Sequence, residues 1–85
     1  MMSLNTFLSI FETLEAAQQE LNLLKEEKIA FRAKLVEKTL GMFLGTVSVQ
    51  ELQEYHIYDR DTDILIMAYQ QEIDHLTHLL SQDSN

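Results

Sequence analysis

One motif in this 85-residue chain has the residue types and spacing of metal ligands. Glu72-Ile-Asp-His75 places a carboxylate and an imidazole three residues apart, on neighbouring positions of a helix. In a four-helix bundle, two such motifs and two further glutamates form a di-iron site when all of them project inward. His75 is rotated by more than about 90° from the apolar stripe of its helix, which indicates a solvated flank. We therefore predict no metal site, and Glu72 and His75 are the candidate ligands if one exists.

Asp59, Asp61 and Asp63 share the spacing of the first three ligands of an EF-hand calcium loop. That loop also needs a glycine at its sixth position and a glutamate at its twelfth, which are Ile64 and Gln70 in this chain. The pattern instead predicts carboxylates that cap a helix or pair with cations. The chain has no cysteine, and its two glycines do not form a phosphate-binding loop. We accordingly predict no cofactor and no enzymatic activity.

The composition indicates a folded, acidic, helical protein. The chain is 46% hydrophobic and has no proline and only two glycines, so it lacks the turn residues of a multi-stranded β protein. Its net charge is −8, and a single basic residue follows Leu44. Because nucleic acids and anionic membranes are bound through Lys and Arg, we expect neither as a partner. With no apolar run of about 20 residues and no signal-peptide pattern, we expect a soluble, cytoplasmic protein.

The first predicted helix runs from about residue 5 to about residue 44. Apolar residues recur along it every three or four positions, which places them on one stripe. A second apolar row widens the arc of its C-terminal half, and a wide arc indicates two packing neighbours. The stripe comprises Phe7, Ile10, Leu14, Ala17, Leu21, Leu24, Phe31, Leu35 and Met42, and the second row comprises Ile29, Val36, Leu40 and Phe43.

A turn at about residues 45–47 follows, with Gly45 as its predicted cap glycine. Ser48 and Glu51 have the capping-box spacing that opens a helix, which we predict over residues 48–80. The polar stretch at residues 58–63 leaves open a break in this helix, which would give a compact three-helix monomer. Residues 81–85 are predicted to form a polar tail. The apolar stripe of the second helix comprises Leu65, Ile66, Tyr69, Ile73, Leu76 and Leu80.

Two helices joined by a short glycine-containing turn predict an all-α antiparallel hairpin, a single domain over residues 1–85. Helices of this length span roughly 50–60 Å. A hairpin one helix thick leaves much of its apolar surface in water, because a stable domain needs two layers around a core. We therefore expect two hairpins to dimerise into a four-helix bundle, and the alternative is that a different protein fills the missing half.

The hairpin also predicts an ion pair between its helices. The turn places the basic part of the first helix opposite residues 52–65. Helical rotation puts Lys28 and Arg32 inside the apolar stripe. We expect Arg32, joined by Lys28, to pair with Asp59 or Asp63. Such a pair fixes the register of the hairpin more than it adds stability.

Four aromatic side chains are candidate contacts with another protein. Phe7 and Phe11 lie in the first turns of the first helix, which are apolar nearly all round. Tyr55 and Tyr58 stand beside acidic residues, where a ring can bury area while its hydroxyl stays wet. The alternative for both tyrosines is that they pack into the core near the turn.

The segment Asp63-Ile-Leu-Ile-Met-Ala-Tyr69 resembles the end of the motif of the sporulation aspartyl-phosphate phosphatases, whereas Asp59-Arg-Asp-Thr does not match its beginning. The resemblance implies a small helical signalling phosphatase that acts through Asp59 or Asp63, but it covers too few residues to assign the family. In size and architecture alone, the chain is similar to the hairpin chaperones of type III secretion. From the residues themselves we expect a non-catalytic protein-interaction module, which would be a regulator, adaptor or chaperone-like subunit. A carboxylate and histidine metal bundle and the signalling phosphatase are the alternatives.

Overall fold

The computed structural model describes residues 2–83 and contains two helices, α1 over Leu4–Phe43 and α2 over Val49–Asp83. The helices pack against each other as a hairpin with dimensions of 63 × 16 × 15 Å. This confirms the predicted all-α hairpin. Within the described part of the chain, neither helix has a stretch long and apolar enough to cross a membrane.

The bounds of α2 differ from the predicted ones. The helix continues to Asp83, three residues further than expected, and residues 84–85 of the predicted tail lie outside the described residues. It also runs unbroken through residues 58–63, so the alternative of a compact three-helix monomer is wrong. Thr62 is buried in this stretch, and its hydroxyl donates a hydrogen bond to the Tyr58 carbonyl at 2.9 Å. Thr62 thus satisfies its hydroxyl within the helix, and the polar stretch does not break it.

Both helices begin at serine caps. Ser3 Oγ accepts a hydrogen bond from the Thr6 N–H at 3.1 Å, and Ser48 Oγ accepts one from the Glu51 N–H at 3.1 Å. Each bond satisfies one of the amide groups that the start of a helix leaves without a partner. The Ser48 cap lies where the capping-box spacing predicts it.

The turn between the helices is a Schellman motif built on Gly45. The φ angle of Gly45 is +80°, a left-handed conformation that glycine adopts without strain. Its N–H donates to the Met42 carbonyl at 3.1 Å, and the Thr46 N–H donates to the Gly41 carbonyl at 2.8 Å. The last carbonyls of α1 are therefore satisfied as the chain reverses direction.

Gly41 is constrained by space, whereas Gly45 is constrained by its backbone angle. Gly41 is buried beneath the turn, and a Cβ atom at this position would lie 2.6 Å from Val47 Cγ2 and 3.0 Å from Thr46 Oγ1. A Cβ atom on Gly45 would have no neighbour within 4 Å. The same turn thus needs two glycines for different physical reasons.

The two glycines should therefore respond differently to substitution. Gly41→Ala should lower the free energy of unfolding by about 1–2 kcal/mol, since overlap with Val47 outweighs the helix preference of alanine. In a Val47→Ala background, Gly41→Ala should lower the free energy of unfolding only slightly, because the overlapping methyl group is gone. Gly45→Ala should cost about 1 kcal/mol in both backgrounds, because its strain lies in the backbone. Urea unfolding followed by circular dichroism measures these differences, and an equal response of both glycines to Val47→Ala would contradict the assignment.

The contact between the helices follows one heptad pattern on each of them, and we call these residues the inner seam. Alternating intervals of three and four residues keep a stripe facing a partner helix, as in coiled coils. All of its residues are buried or half-buried, and Leu14, Ala17, Leu21 and Leu52 are its buried apolar members. The inner seam comprises Phe7, Ile10, Leu14, Ala17, Leu21, Leu24, Lys28, Phe31, Leu35, Lys38 and Met42 of α1, and Leu52, Tyr55, Asp59, Thr62, Ile66, Tyr69, Ile73, Leu76 and Leu80 of α2.

The inner seam corrects the predicted stripe of α2. Leu65 was expected in the stripe but is half exposed, because the heptad pattern passes through Thr62 and Ile66. Polar residues also hold inner-seam positions, with Lys28 on α1 and Asp59 on α2 among them. The core is therefore apolar towards the open end of the hairpin and mixed towards the turn.

Candidate protein-interaction surface

Phe31 of α1 packs against Tyr55 and Tyr58 of α2, and we call these three residues the aromatic cluster. The centroid of the Phe31 ring lies 5.5 Å from that of Tyr55, at an interplanar angle of 21°. It lies 4.6 Å from the centroid of Tyr58, at an angle of 44°. Phe31 and Tyr55 are half-buried, whereas Tyr58 remains exposed. The cluster therefore joins the two helices and still leaves the Tyr58 ring exposed on the surface.

Two open grooves border the aromatic cluster, and Phe31 and Tyr58 line both of them. Their volumes are 630 Å³ and 350 Å³. Four glutamates and one lysine surround the aromatic floor, so we call this region the acidic aromatic surface. Such an open surface suits contact with a protein better than enclosure of a small molecule. The larger groove is lined by Glu27, Ala30, Phe31, Ala33, Lys34, Glu37 and Tyr58, and the smaller by Phe31, Glu51, Glu54, Tyr55 and Tyr58.

Lys38 pairs with one of these glutamates on the side nearest the turn. Its Nζ donates a hydrogen bond to Glu51 Oε1 at 3.3 Å and lies 5.5 Å from the centre of the Tyr55 ring. The hydrogen bond to Glu51, together with the charge of that residue, raises the pKa of Lys38 above its ordinary value of 10.5. Lys38 is therefore protonated at neutral pH and partly neutralises the smaller groove.

The structure brings together the residues of the predicted register pair. Arg32 Nε lies 3.8 Å from Asp59 Oδ1, and Lys28 Nζ contacts an Asp63 carboxylate oxygen. The prediction that both bases lie inside the apolar stripe is wrong for Arg32, whose side chain is 61% exposed. The reason is rotational, because the heptad pattern passes from Lys28 to Phe31 and leaves Arg32 on a flank.

The negative charge of Asp59 is poorly compensated by the cations of this set. Its side chain is 16% exposed, and its Oδ1 atom is buried without a hydrogen-bond partner. The Arg32 guanidinium supplies charge from 3.8 Å, which is beyond hydrogen-bond distance. The desolvation of a buried carboxylate costs free energy that a distant cation only partly offsets. The predicted role of Arg32, Asp59 and Asp63 in fixing the register therefore stays a prediction. It concerns the specificity of the fold and not its stability.

Phe7 and Phe11, the other predicted contacts, lie far from the aromatic cluster. About 24 helical residues, or roughly 36 Å, separate Phe7 from Phe31 along α1. Phe7 is half-buried in the inner seam, whereas Phe11 is exposed together with Leu4 and Leu8. The predicted contact residues thus divide between two separate surfaces.

The candidate metal motifs do not assemble a site in the described chain. Glu72 and His75 are both exposed on α2. Among the described residues, no three His, Asp or Glu side chains are grouped so that they could hold a metal ion. Asp59, Asp61 and Asp63 lie on a continuous helix, which cannot wrap around a calcium ion as an EF-hand loop does.

Phe31 is the site residue that sequence reasoning missed. Its three-four spacing assigns it only to the core stripe of α1. The i, i+3 spacing of Tyr55 and Tyr58 does indicate a shared face of α2. The ring opposite them can be identified only once the register between the helices is known.

Comparison of the chain with models of protein families, with curated proteins and with solved structures finds no match. Its function is therefore inferred from its own residues and their geometry.

Proposed function

We propose that this chain is a non-catalytic protein-interaction module, serving as a regulator, adaptor or chaperone-like subunit, and that it binds a partner at the acidic aromatic surface. The observation that carries the proposal is the Tyr58 ring, which packs 4.6 Å from Phe31 and is nevertheless 54% exposed between two grooves. An aromatic ring held by its neighbours loses little conformational freedom on binding. Such rings are enriched among the anchors of protein interfaces.

The charge of the surface favours a basic partner segment. Glu27, Glu37, Glu51 and Glu54 border the grooves, and the whole chain carries a net charge of −8. An arginine of the partner can stack on the Tyr58 ring and reach a carboxylate at the same time, which combines cation–π attraction with an ion pair. The same negative charge opposes nucleic acids and anionic membranes, so neither is part of the proposal.

Self-association is the second part of the proposal. The radius of gyration is 18.9 Å, against about 12 Å for a compact domain of this length. The accessible surface is 6434 Å², against roughly 5,200 Å² for a folded monomer of this mass. Two hairpins that pair into a four-helix bundle would bury part of this excess and supply the missing second layer.

The proposal includes no catalytic role, and the geometry favours neither alternative function. Asp59 and Asp63, the candidate residues of a signalling phosphatase, are ion-paired with α1. Glu72 and His75, the candidate ligands of a metal bundle, are exposed to solvent on α2. A metal site in a helical bundle requires ligands that project into the interior of the bundle.

Titration with a hexa-arginine peptide tests the acidic aromatic surface. Tyr58→Ala should weaken binding by about tenfold or more, as expected for the loss of a central aromatic anchor. Ile57→Ala is the matched control, because Ile57 is similarly exposed but lines neither groove. Its affinity should stay within about twofold of that of the unchanged chain.

Isothermal titration calorimetry at about 0.05 M and 0.15 M salt separates the contribution of charge to the affinity from that of the aromatic ring. A hexa-glutamate peptide is the negative control. An affinity that falls with salt but not with Tyr58→Ala would mean that charge alone attracts the peptide, which would contradict the aromatic site. If hexa-arginine does not bind at either salt concentration, the proposed chemistry of the partner is wrong.

A further inference from the structure

The outside of α1 carries an apolar row that the hairpin does not cover. Ile29, Ala33, Val36, Leu40 and Phe43 follow one another at alternating intervals of four and three residues, and we call them the outer seam. All five are exposed, the four larger side chains by 59–78%. By helical rotation the outer seam lies roughly 140° from the inner seam, on the opposite side of α1.

The outer seam has the spacing of a second coiled-coil contact. Its intervals assign Ile29, Val36 and Phe43 to heptad d positions, and Ala33 and Leu40 to a positions. A contiguous row of exposed apolar side chains of this kind marks an interaction site on a protein surface. A second helix of matching pattern would therefore bury it efficiently.

We propose that a second copy of this chain covers the outer seam, with the two α1 helices parallel and in register. This inference rests on the self-association part of the proposed function and gives it a surface and an orientation. Because the outer seam lies on the side of α1 opposite α2, the two α1 helices pack between the two α2 helices, in place of a four-helix bundle around one shared core. The charged residues beside the row favour a second copy of this chain as the molecule that covers it. Arg32 holds a g position and Glu37 the e position of the next heptad, which is the spacing that pairs across a parallel coiled coil. Two copies thus place each Arg32 beside Glu37 of the other copy, in addition to its own Asp59 at 3.8 Å.

An antiparallel arrangement would lose this complementarity. It sets e positions against e positions, so that Glu37 of both copies would approach the same edge and repel. In the parallel arrangement both side chains are placed to pair, because Arg32 is mostly exposed and Glu37 is exposed at the rim of the larger groove. Ala33 of the outer seam and Glu37 beside it both line that groove, so a second copy would add an outer wall to the acidic aromatic surface.

The residues of the outer seam also bear on the number of copies. β-branched Ile29 and Val36 occupy d positions and Leu40 occupies an a position, a combination that shifts parallel coiled coils from two strands towards three or four. The g-to-e contact repeats between each pair of adjacent helices in all of these assemblies. A dimer is therefore the smallest assembly of this kind, and a trimer or tetramer contains the same contact.

Val36→Glu combined with Leu40→Glu tests the surface. The mass measured by sedimentation equilibrium should fall from a multiple of 9.9 kDa to that of one chain. The matched control is Ile64→Glu combined with Met67→Glu, which changes two similarly exposed apolar residues of α2 and adds the same charge. This control should keep the mass of the unchanged chain, and circular dichroism should show that all variants remain helical.

Two failures of this experiment are distinguishable. If the unchanged chain has the mass of one chain over the whole concentration series, self-association itself is wrong, and this inference is wrong with it. If the unchanged chain associates but Val36→Glu with Leu40→Glu keeps its mass, only the outer seam is overturned. The titration with hexa-arginine reports on the acidic aromatic surface independently of both.

Cysteine crosslinking tests the orientation, since the chain has no cysteine of its own. Phe43→Cys should form a disulfide with its counterpart under mild oxidation, because equal d positions meet across a parallel seam. Val36→Cys is the positive control, because Val36 is a central d position of the same row and should form the same disulfide. If Phe43→Cys instead links only to Ala33→Cys in a mixture of the two chains, the helices are antiparallel, since that arrangement sets a positions against d positions, and the proposal is overturned.

Discussion

Asp59→Leu is expected to raise the free energy of unfolding of the hairpin by about 1–3 kcal/mol. Asp59 holds an inner-seam position, its side chain is 16% exposed, and its Oδ1 atom is buried without a hydrogen-bond partner. Its cation, Arg32, is mostly exposed and 3.8 Å away. A leucine at this heptad position removes the desolvation cost of the carboxylate and adds apolar burial between the helices.

Asp61→Leu is the matched control for this prediction. It makes the same change in charge and size two residues along α2, at a side chain that is 61% exposed beside Arg60. Its effect should stay within about 0.5 kcal/mol. Urea unfolding at one fixed protein concentration measures both variants. Equal increases in the free energy of unfolding of the two variants would show that removing any negative charge stabilises this acidic chain. A loss of stability in Asp59→Leu would contradict the argument from burial.

The same substitution should loosen the register of the hairpin. A buried polar residue in a helical seam restricts the registers that two helices can adopt, because few registers bring that residue close to a cation. Spin labels at the exposed positions Lys34 and Gln53 report the distance between the helices. That distance distribution should broaden in Asp59→Leu and stay narrow in Asp61→Leu. An unchanged distribution would mean that the turn and the aromatic cluster set the register without the ion pair.

The hairpin could be predicted from the sequence because its determinants are local. Gly45 supplies the left-handed residue of the turn, and Ser48 caps the helix that follows it. The three-four spacing of α1 is sustained over 40 residues, which is the strongest kind of periodic signal. None of these features depends on what the other helix does.

The path of α2 through residues 58–63 depends on the other helix, and the sequence left it open. A cluster of polar residues that favour caps and turns is typical of a helix boundary. In the structure Thr62 is buried against α1 and Asp63 pairs with Lys28 across the seam. Tertiary contacts thus stabilise a helix that local propensity would interrupt.

The candidate site depends on register even more closely. One residue of rotation, about 100°, separates Phe31 at the centre of the aromatic cluster from Arg32 on an exposed flank. The sequence left Tyr55 and Tyr58 open as core residues or as contacts, and the structure makes Tyr55 half-buried and Tyr58 exposed. Periodicity identifies the buried face of a helix, but its precision is too low to separate neighbouring positions at the edge of that face.

Leu21→Ala is expected to lower the free energy of unfolding by about 2–4 kcal/mol, a larger effect than that of Asp59→Leu. Leu21 is 6% exposed and belongs, with Leu14 and Ala17, to the buried apolar part of the inner seam on α1. A cavity there removes contacts with α2 that few other buried side chains can replace. Because small domains are only marginally stable, a loss of this size should leave a large fraction of the chain unfolded near 37 °C.

Leu23→Ala is the matched control, since it makes the same change two residues away at a side chain that is 52% exposed and outside both seams. It should cost less than about 1 kcal/mol. Circular dichroism melts at about 5 and 200 μM then separate the hairpin from its assembly, because only association depends on concentration. Leu21→Ala should destabilise the chain at both concentrations, whereas Leu40→Ala in the outer seam should approach the Tm of the unchanged chain on dilution. Equal costs for Leu21→Ala and Leu23→Ala would mean that the inner seam does not hold the hairpin together, and that its helices are stabilised only by a partner.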